Sequence, residues 1–439
     1  MATSATSTPT PTSNSTASSV ASTISAGKEK LVAIGNLIKD FDLKKVSDIQ
    51  NSPVAIHWFG LSFVIVILLW VITYITAKLN LDKANCKVIS KANPKPAQLE
   101  SLSSKLTSPD YMGKNIRDFY IKTAYNCCAS GEFKSDYVTM CALYNVIAQG
   151  CRCLDFEIYC LNDTPVVAVS SIDKIGVKQS YNFLYAADVL TAVNTYALNS
   201  NGNTLPKIDP SSADEKQRFC PNPNDPLFLH FRLKTNNVNV VNQLAAIIAE
   251  TFKSKLLPIE FMREANGKNM TKTPIKDLVD NVNGKVVIMV EKNSNTGGMP
   301  ILYRSPNMWE LTNITTNSVY IHEKRFTDIK NTNSPKEIVD FNRQNMTIVL
   351  PDLNETNTNY IYVVPRMLGC QFIAMNFQNS DQNLVSYNNF FENMKCAFVP
   401  RPAELLYVPV FLPEPKKIDK DLLFSTKKSI KVGGIELNF

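Results

Sequence analysis

The sequence predicts an α/β fold, a distorted (β/α)8 barrel preceded by a single transmembrane helix, and three observations predict it. Beyond Leu106, strand-like apolar runs alternate with amphipathic helical stretches, the pattern of a parallel sheet with crossover helices. Roughly 300 residues follow without an obvious break, a length that suits an α/β barrel. Ahead of them, Trp58 to Ala77 (WFGLSFVIVILLWVITYITA) is 20 residues with no charge. At 1.5 Å per residue this run spans about 30 Å, the thickness of a bilayer's hydrocarbon core.

Composition narrows the function classes. The chain has 439 residues, 44% hydrophobic and 19% charged, which is enough apolar surface to bury a core. Lys plus Arg is 46 against 39 for Asp plus Glu, and +7 on so long a chain is too little for a dedicated nucleic-acid binder. No nucleic-acid partner is expected. Three histidines leave little room for His-rich metal sites.

The elements follow in chain order. Residues 1–27 carry no charge, and 15 of the first 25 are Ser or Thr, so a disordered tail is expected. In residues 28–46, Leu31, Ile34, Ile38 and Phe41 recur at helical spacing, which predicts a short amphipathic helix lying on the lipid surface. Residues 57–78 are the span and contact the bilayer. Residues 79–105 read as a basic juxtamembrane linker, with Lys78, Lys83, Lys87, Lys91 and Lys95 offset only by Asp82. Five lysines follow the span and three (Lys39, Lys44, Lys45) precede it, so the positive-inside rule places the C-terminal barrel in the cytosol. A second basic cluster, Lys416 to Lys431, lies in the C-terminal tail, 409–439. Both clusters read either as solvated faces or as contacts with anionic lipid, the latter at about 1 kcal/mol per nearby Lys.

Within the large domain, CLDFEIYC (153–160), TPVVAVSS (164–171), DPLFLHFRL (225–233) and GKVVIMVEK (284–292) read as strands. Residues 182–198 and 239–256 read as helices. Strand alternation puts Asp155 and Glu157 on one face, and likewise His230 and Arg232. Two acids at the C-terminal end of a barrel strand suit a hard cation, with a plain pair of surface carboxylates as the alternative.

All ten cysteines follow the span. Cys127–Cys128 and Cys151–Arg152–Cys153 fit neither a zinc pair nor a disulfide ladder, so reduced, partly buried thiols are expected. Glycosylation tripeptides occur at Asn162, Asn269, Asn313, Asn345 and Asn354, but among 44 asparagines such tripeptides arise by chance.

The ordered motifs of residues 106–408 resemble the catalytic barrel of eukaryotic phosphoinositide-specific phospholipase C. GCRCLDFEIYCLNDTPVV (150–167), DPLFLHFRLK (225–234) and VNGKVVIMVEK (282–292) resemble motifs of its X half, placed here at 106–292. After a short connector, 293–318, come motifs similar to those of the Y half, placed at 319–408: Asn359–Tyr360, GCQFIAMNFQ (369–378) and FENMKCAFVPRP (391–402).

The resemblance implies two catalytic histidines, a calcium ion held by one Asn and three carboxylates, phosphate-binding lysines, and an Arg and Tyr at the inositol. The histidine positions hold Tyr125 and Val169, and valine can neither give nor take a proton. The calcium ligands persist as Asn126, Asp155 and Glu157, but Arg232 stands in place of the last carboxylate. The lysine positions hold Met289 and Glu291, and the inositol-contacting positions hold Ile348 and Leu350. The resemblance therefore implies no catalytic or substrate-binding residues, no calcium and no other cofactor. Arg232 is expected to pair with Asp155 or Glu157 where calcium would sit.

The expected function is a single-pass membrane pseudoenzyme acting as a structural or interaction protein with an unknown protein partner. An Asn-rich chain of this kind suggests a large DNA virus, and hence a host or virion membrane. The alternatives are a phosphoinositide-headgroup binding module, or a divergent active phosphodiesterase using Tyr125 or His230.

Overall fold

The computed structural model describes residues 53–93, 95–199, 219–263, 269–279, 286–292, 299–409 and 429–438. The expected tail 1–27, the helix 28–46, the start of the connector (293–298) and Lys416 to Lys428 lie outside these residues. The chain divides after Asn80 into two units.

The described part of the first unit is one α-helix, Pro53–Leu79, which contains the predicted span. Its stretch His57–Leu79 is long and apolar enough to cross a membrane, and none of it is buried within the protein. Its hydroxyls fold back on the helix: Thr73 Oγ1 donates to Trp70 O at 2.8 Å and Thr76 Oγ1 to Ile72 O at 2.8 Å. Few polar groups are thereby left to face the surroundings.

The second unit is built on eight parallel strands: β1 (Phe119–Ala124), β2 (Cys153–Leu161), β5 (Leu227–Leu233), β6 (Val286–Glu291), β7 (Ile314–Thr316), β8 (Ile321–Arg325), β9 (Met346–Leu350) and β10 (Phe372–Met375). They pair in the order β7-β6-β5-β2-β1-β10-β9-β8. This is a nearly closed α/β barrel, open only between β7 and β8. Side chains bridge that seam, where Thr316 Oγ1 donates to Glu323 Oε2 at 2.9 Å and Glu323 N to Asn317 Oδ1 at 3.2 Å. Helices cover the outside. The helix Val238–Phe252 starts at Asn237, whose side chain accepts from Asn239 N and Val240 N, and buries Val240, Val241, Leu244, Ala245, Ile248 and Phe252 along one stripe. Each of these side chains other than Ala245 contributes about 1.5–3 kcal/mol on burial.

Four expectations change. TPVVAVSS does not join the barrel: β3 (Thr164–Ala168) pairs antiparallel with β2, and β4 (Leu184–Tyr185) pairs with β3. The two-residue link Asn162–Asp163 permits only a hairpin, since parallel strands need a longer crossover. Strand β7 lies inside the segment read as a connector; at three residues it is too short to show as an apolar run. Residues 79–105 are not a free linker. The helix Leu81–Ala92 docks through Ile89, which is buried, and through Asn85 Nδ2, which donates to Asp136 Oδ1 at 2.8 Å. Its Cys86 is disulfide-bonded to Cys141, which corrects the expectation that all ten cysteines are reduced. The other eight are free, and only Cys160 among them is not buried.

The Y-half motifs serve the framework. Gly369 sits at φ +75°, where a Cβ would come within 2.9 Å of Arg401 Nη1. Gln371 Nε2 donates to Arg117 O at 3.0 Å, Asn342 O at 3.1 Å and Asn345 O at 3.0 Å. Strand β11 (Phe398–Pro400) pairs antiparallel with β1. In the C-terminal tail, β12 (Ser429–Val432) and β13 (Ile435–Asn438) form a hairpin turning on Gly433 and Gly434, both at positive φ.

Candidate functional site

The inward side chains of β2 and β5 meet in register, Asp155 beside His230 and Glu157 beside Arg232. All four are buried. Arg232 is the hub. Its Nε donates to Asp155 Oδ1 at 2.9 Å and its Nη2 to Asp155 Oδ2 at 2.8 Å. Its Nη1 donates to Glu157 Oε1 at 2.7 Å, and its Nη2 also to Asn126 Oδ1 at 2.8 Å. The guanidinium carbon stands 4.5 Å above the Tyr125 ring, so a cation–π contact covers its remaining face. Asn126 supports the cluster twice. At φ +42° its own backbone N–H reaches Asp155 Oδ2 at 3.0 Å while its side chain faces Arg232, and Asn is among the residues that tolerate this left-handed conformation.

Further charged side chains surround the hub. His230 Nδ1 is 2.8 Å from Asp155 Oδ1, and its Nε2 is 3.5 Å from Glu323 Oε2, an ion-pair distance longer than a formed hydrogen bond. Lys234 Nζ contacts Asp173 Oδ1 at 2.5 Å and Glu291 Oε2 at 3.3 Å. Arg325 Nη1 is 3.3 Å from the Tyr125 hydroxyl, and Tyr159 OH donates to Glu157 Oε2 at 2.7 Å. Five carboxylates (Asp155, Glu157, Asp173, Glu291, Glu323) thus meet three fixed cations (Arg232, Lys234, Arg325) and His230.

Proton affinities follow this balance. Burial alone would lift the Asp155 carboxyl, but Arg232 and His230 overcome it and hold the group well below the usual carboxylate range. Burial disfavours the charged form of His230, yet its bond to Asp155 and the nearby Glu323 carboxylate push it up to about 9. Burial, then the Glu323 charge, raises Glu291 to about 7. Below pH 7, with His230 charged and Glu291 protonated, four cations face four carboxylates.

The structure thus brings together Tyr125, Asn126, Asp155, Glu157 and Arg232, while Glu291 pairs with Lys234, which Asp173 links to Arg325 beside Tyr125. Val169, Met289, Ile348 and Leu350 belong to the buried apolar cluster, with Met289, Ile348 and Leu350 lying in register beside His230, Glu323 and Arg325. Sequence reasoning missed Glu323, Arg325, Lys234, Asp173 and Tyr159. The alternation of IHEKR in β8 could have found Glu323 and Arg325, which share a face.

Residues 303–404 match the family model of the phosphatidylinositol-specific phospholipase C, Y domain. Over that stretch the chain is similar to that domain. The match begins inside the segment read as a connector and takes in β7 to β11. Among solved structures the chain is similar to S. officinalis PLC21, with 18% identity over 66% of this chain and 37% of that one, at a TM-score of 0.48. The chain thus spans well under half of that relative. It is also similar to a calcium-dependent phosphoinositol-specific phospholipase C from a Gram-negative bacterium, Pseudomonas sp., with 10% identity over 69% of this chain and 100% of that one, at a TM-score of 0.40. A third, a Ca2+-dependent phosphatidylinositol-specific phospholipase C from Streptomyces antibioticus, has 9% identity, covers 66% of this chain and 100% of that one, and has a TM-score of 0.39. No curated protein sequence matches the chain.

The calcium ion that the phospholipase C resemblance implies does not fit these residues. Calcium needs six to eight oxygen ligands, whereas Arg232 has only donors to offer and already holds oxygens of Asn126, Asp155 and Glu157. Among the described residues no group of three His, Cys, Asp or Glu could hold a metal ion.

Proposed function

We propose that this protein is a membrane-anchored pseudoenzyme, a phospholipase-C-type barrel that serves as a structural or interaction module. One observation carries the reading: the Arg232 guanidinium fills the space between Asn126, Asp155 and Glu157 and satisfies their oxygens. A site closed on its own cation has no vacancy for a metal. Tyr125 and Val169, at the positions that the resemblance gives to the two histidines, offer no acid/base pair of that kind. The apolar helix is the anchor, placing the barrel at a bilayer without regulated recruitment.

The test uses the full chain in mixed micelles of phosphatidylinositol or phosphatidylinositol 4,5-bisphosphate, with and without millimolar calcium. The expected result is no release of soluble inositol phosphate under either condition. Release that is lost in Y125F or H230N would instead establish a divergent hydrolase.

Contact with anionic lipid is a second reading, favoured by Lys83, Lys87 and Lys91. These recur at four-residue spacing on the docked helix and are all exposed. The full chain in vesicles rich in phosphatidylserine should protect Lys83, Lys87 and Lys91 from amine-reactive labelling. Protection that does not weaken at high salt would count against an electrostatic contact.

A further inference from the structure

The glycosylation tripeptides and the disulfide are absorbed by nothing above, and they concern the same unit of the chain. Cys86 and Cys141 are joined across 55 residues within the second unit. Structural disulfides form and persist in oxidising compartments and are rare where thiols are kept reduced.

Of the five Asn-X-Thr tripeptides after the span, three are engaged in the fold. Asn313 is buried and its Nδ2 donates to Phe261 O at 2.8 Å. Asn269 accepts from Thr271 N at 3.0 Å, and its Nδ2 donates to Asn345 Oδ1 at 3.3 Å. The remaining two are exposed. Asn162 sits with Asp163 at the tip of the β2–β3 hairpin, and Asn354 lies in the exposed run 352–356 after β9. Both follow the C-terminal ends of parallel barrel strands, so both stand on the rim that carries the Arg232 cluster.

We infer that the barrel resides on the oxidising, glycan-bearing side of its membrane, with Asn162 and Asn354 as N-glycan acceptors. The excess of five lysines over three points the other way, by a margin of two. A covalent bridge needs an oxidant, and that requirement outweighs two charges. In bridge formation the Cys86 and Cys141 thiols lose two protons and two electrons. The disulfide of a dithiol oxidoreductase accepts both electrons and leaves as two thiols. In glycan transfer a C1–N bond forms to Nδ2 of each asparagine while the C1–O bond to a polyprenyl diphosphate breaks; the diphosphate departs and the amide gives up one proton. Two oligosaccharides on the rim would hold the barrel mouth away from any flat lipid surface. The inference is independent of whether the barrel turns over substrate.

The experiment translates the full chain into endoplasmic-reticulum microsomes. The expected result is a mobility shift of two glycans that is removed by peptide-N-glycosidase. N162Q and N354Q each lose one step, and so do T164A and T356A, which leave the asparagines intact. The barrel resists added protease until detergent is present, and Cys86 and Cys141 are alkylated only after reduction. An unshifted, protease-sensitive barrel overturns the inference. So does a glycan shift that survives the double variant, or alkylation of Cys86 without reductant.

Discussion

Arg232 makes four hydrogen bonds to three buried partners, and this decides what its replacement does. Breaking a buried ion pair by removing one partner typically costs 3–5 kcal/mol, because the other charge stays behind. R232A should therefore lower stability by about that much, read from chemical denaturation of the full chain in detergent. R232E should be destabilised as well, but with a different signature. It adds a carboxylate to Asn126, Asp155 and Glu157, so millimolar calcium should raise its Tm and leave the wild type unmoved. A wild-type Tm that rises with calcium would contradict the closed site. The same residues set a pH dependence. His230 is raised from its ordinary 6.5 to about 9, so its contribution is complete below pH 6.5 and lost as pH climbs through 9. Such a shift is worth on the order of 3 kcal/mol. Glu291, raised from 4.5 to about 7, acts in the same direction, its contribution fading between those values. Asp155 is lowered, so its contribution is present above its ordinary 3.8 and lost as pH falls. Stability should peak near pH 4 to 4.5, fall first as Glu291 loses its proton and then, above pH 6.5, as His230 does, down to pH 9. H230N should flatten the part of the decline above pH 6.5; an unchanged slope would remove His230 as its source.

At the level of elements, the sequence was legible where a period governs and opaque where contacts are non-local. Period two placed Asp155 with Glu157 and His230 with Arg232, and the barrel brings all four to one place. The hairpin of β2 and β3 was legible too, from its two-residue link, but the apolar content of TPVVAVSS masked it. Glu323 and Arg325 were missed because IHEKR is too polar to stand out as a strand; burial there is compensated by charge and not by apolar packing. The Cys86–Cys141 bridge could not be deduced, since ten cysteines permit many pairings. That bridge closes 55 residues and ties the helix Leu81–Ala92 to the helix Met140–Ala148. Chain entropy gives it about 4 kcal/mol. Reduction, or C86S, should lower the Tm of the full chain in detergent. C160S, which removes a free thiol, should leave the response to reductant intact. Equal Tm values with and without reductant would mean that the bridge contributes nothing to the second unit.

At the scale of the whole molecule, one helix has to serve as the anchor, so its energetics set how the barrel is held. In Trp58 to Ala77 there are twelve Leu, Ile, Val or Phe residues. At about −0.3 to −0.6 kcal/mol each, these favour insertion by roughly 5 kcal/mol before the smaller penalties of Ser, Thr and Gly. A lysine at the helix centre costs about 3 kcal/mol. Leu68 is the midpoint of His57–Leu79, so L68K alone should weaken insertion without abolishing it. The pair I65K/L68K exceeds the apolar gain, because each substitution also removes a favourable residue. Wild-type chain should stay with membranes through alkaline carbonate extraction, L68K should divide between pellet and supernatant, and the double variant should be extracted. Because the substitutions lie in the first unit, the second unit's folding provides the control: the Cys86–Cys141 bridge and the denaturation midpoint of the barrel should be unaffected where the variants are made in detergent. Extraction of the wild type under the same conditions would show that the helix does not hold the chain in the bilayer, and the anchored reading would fail with it.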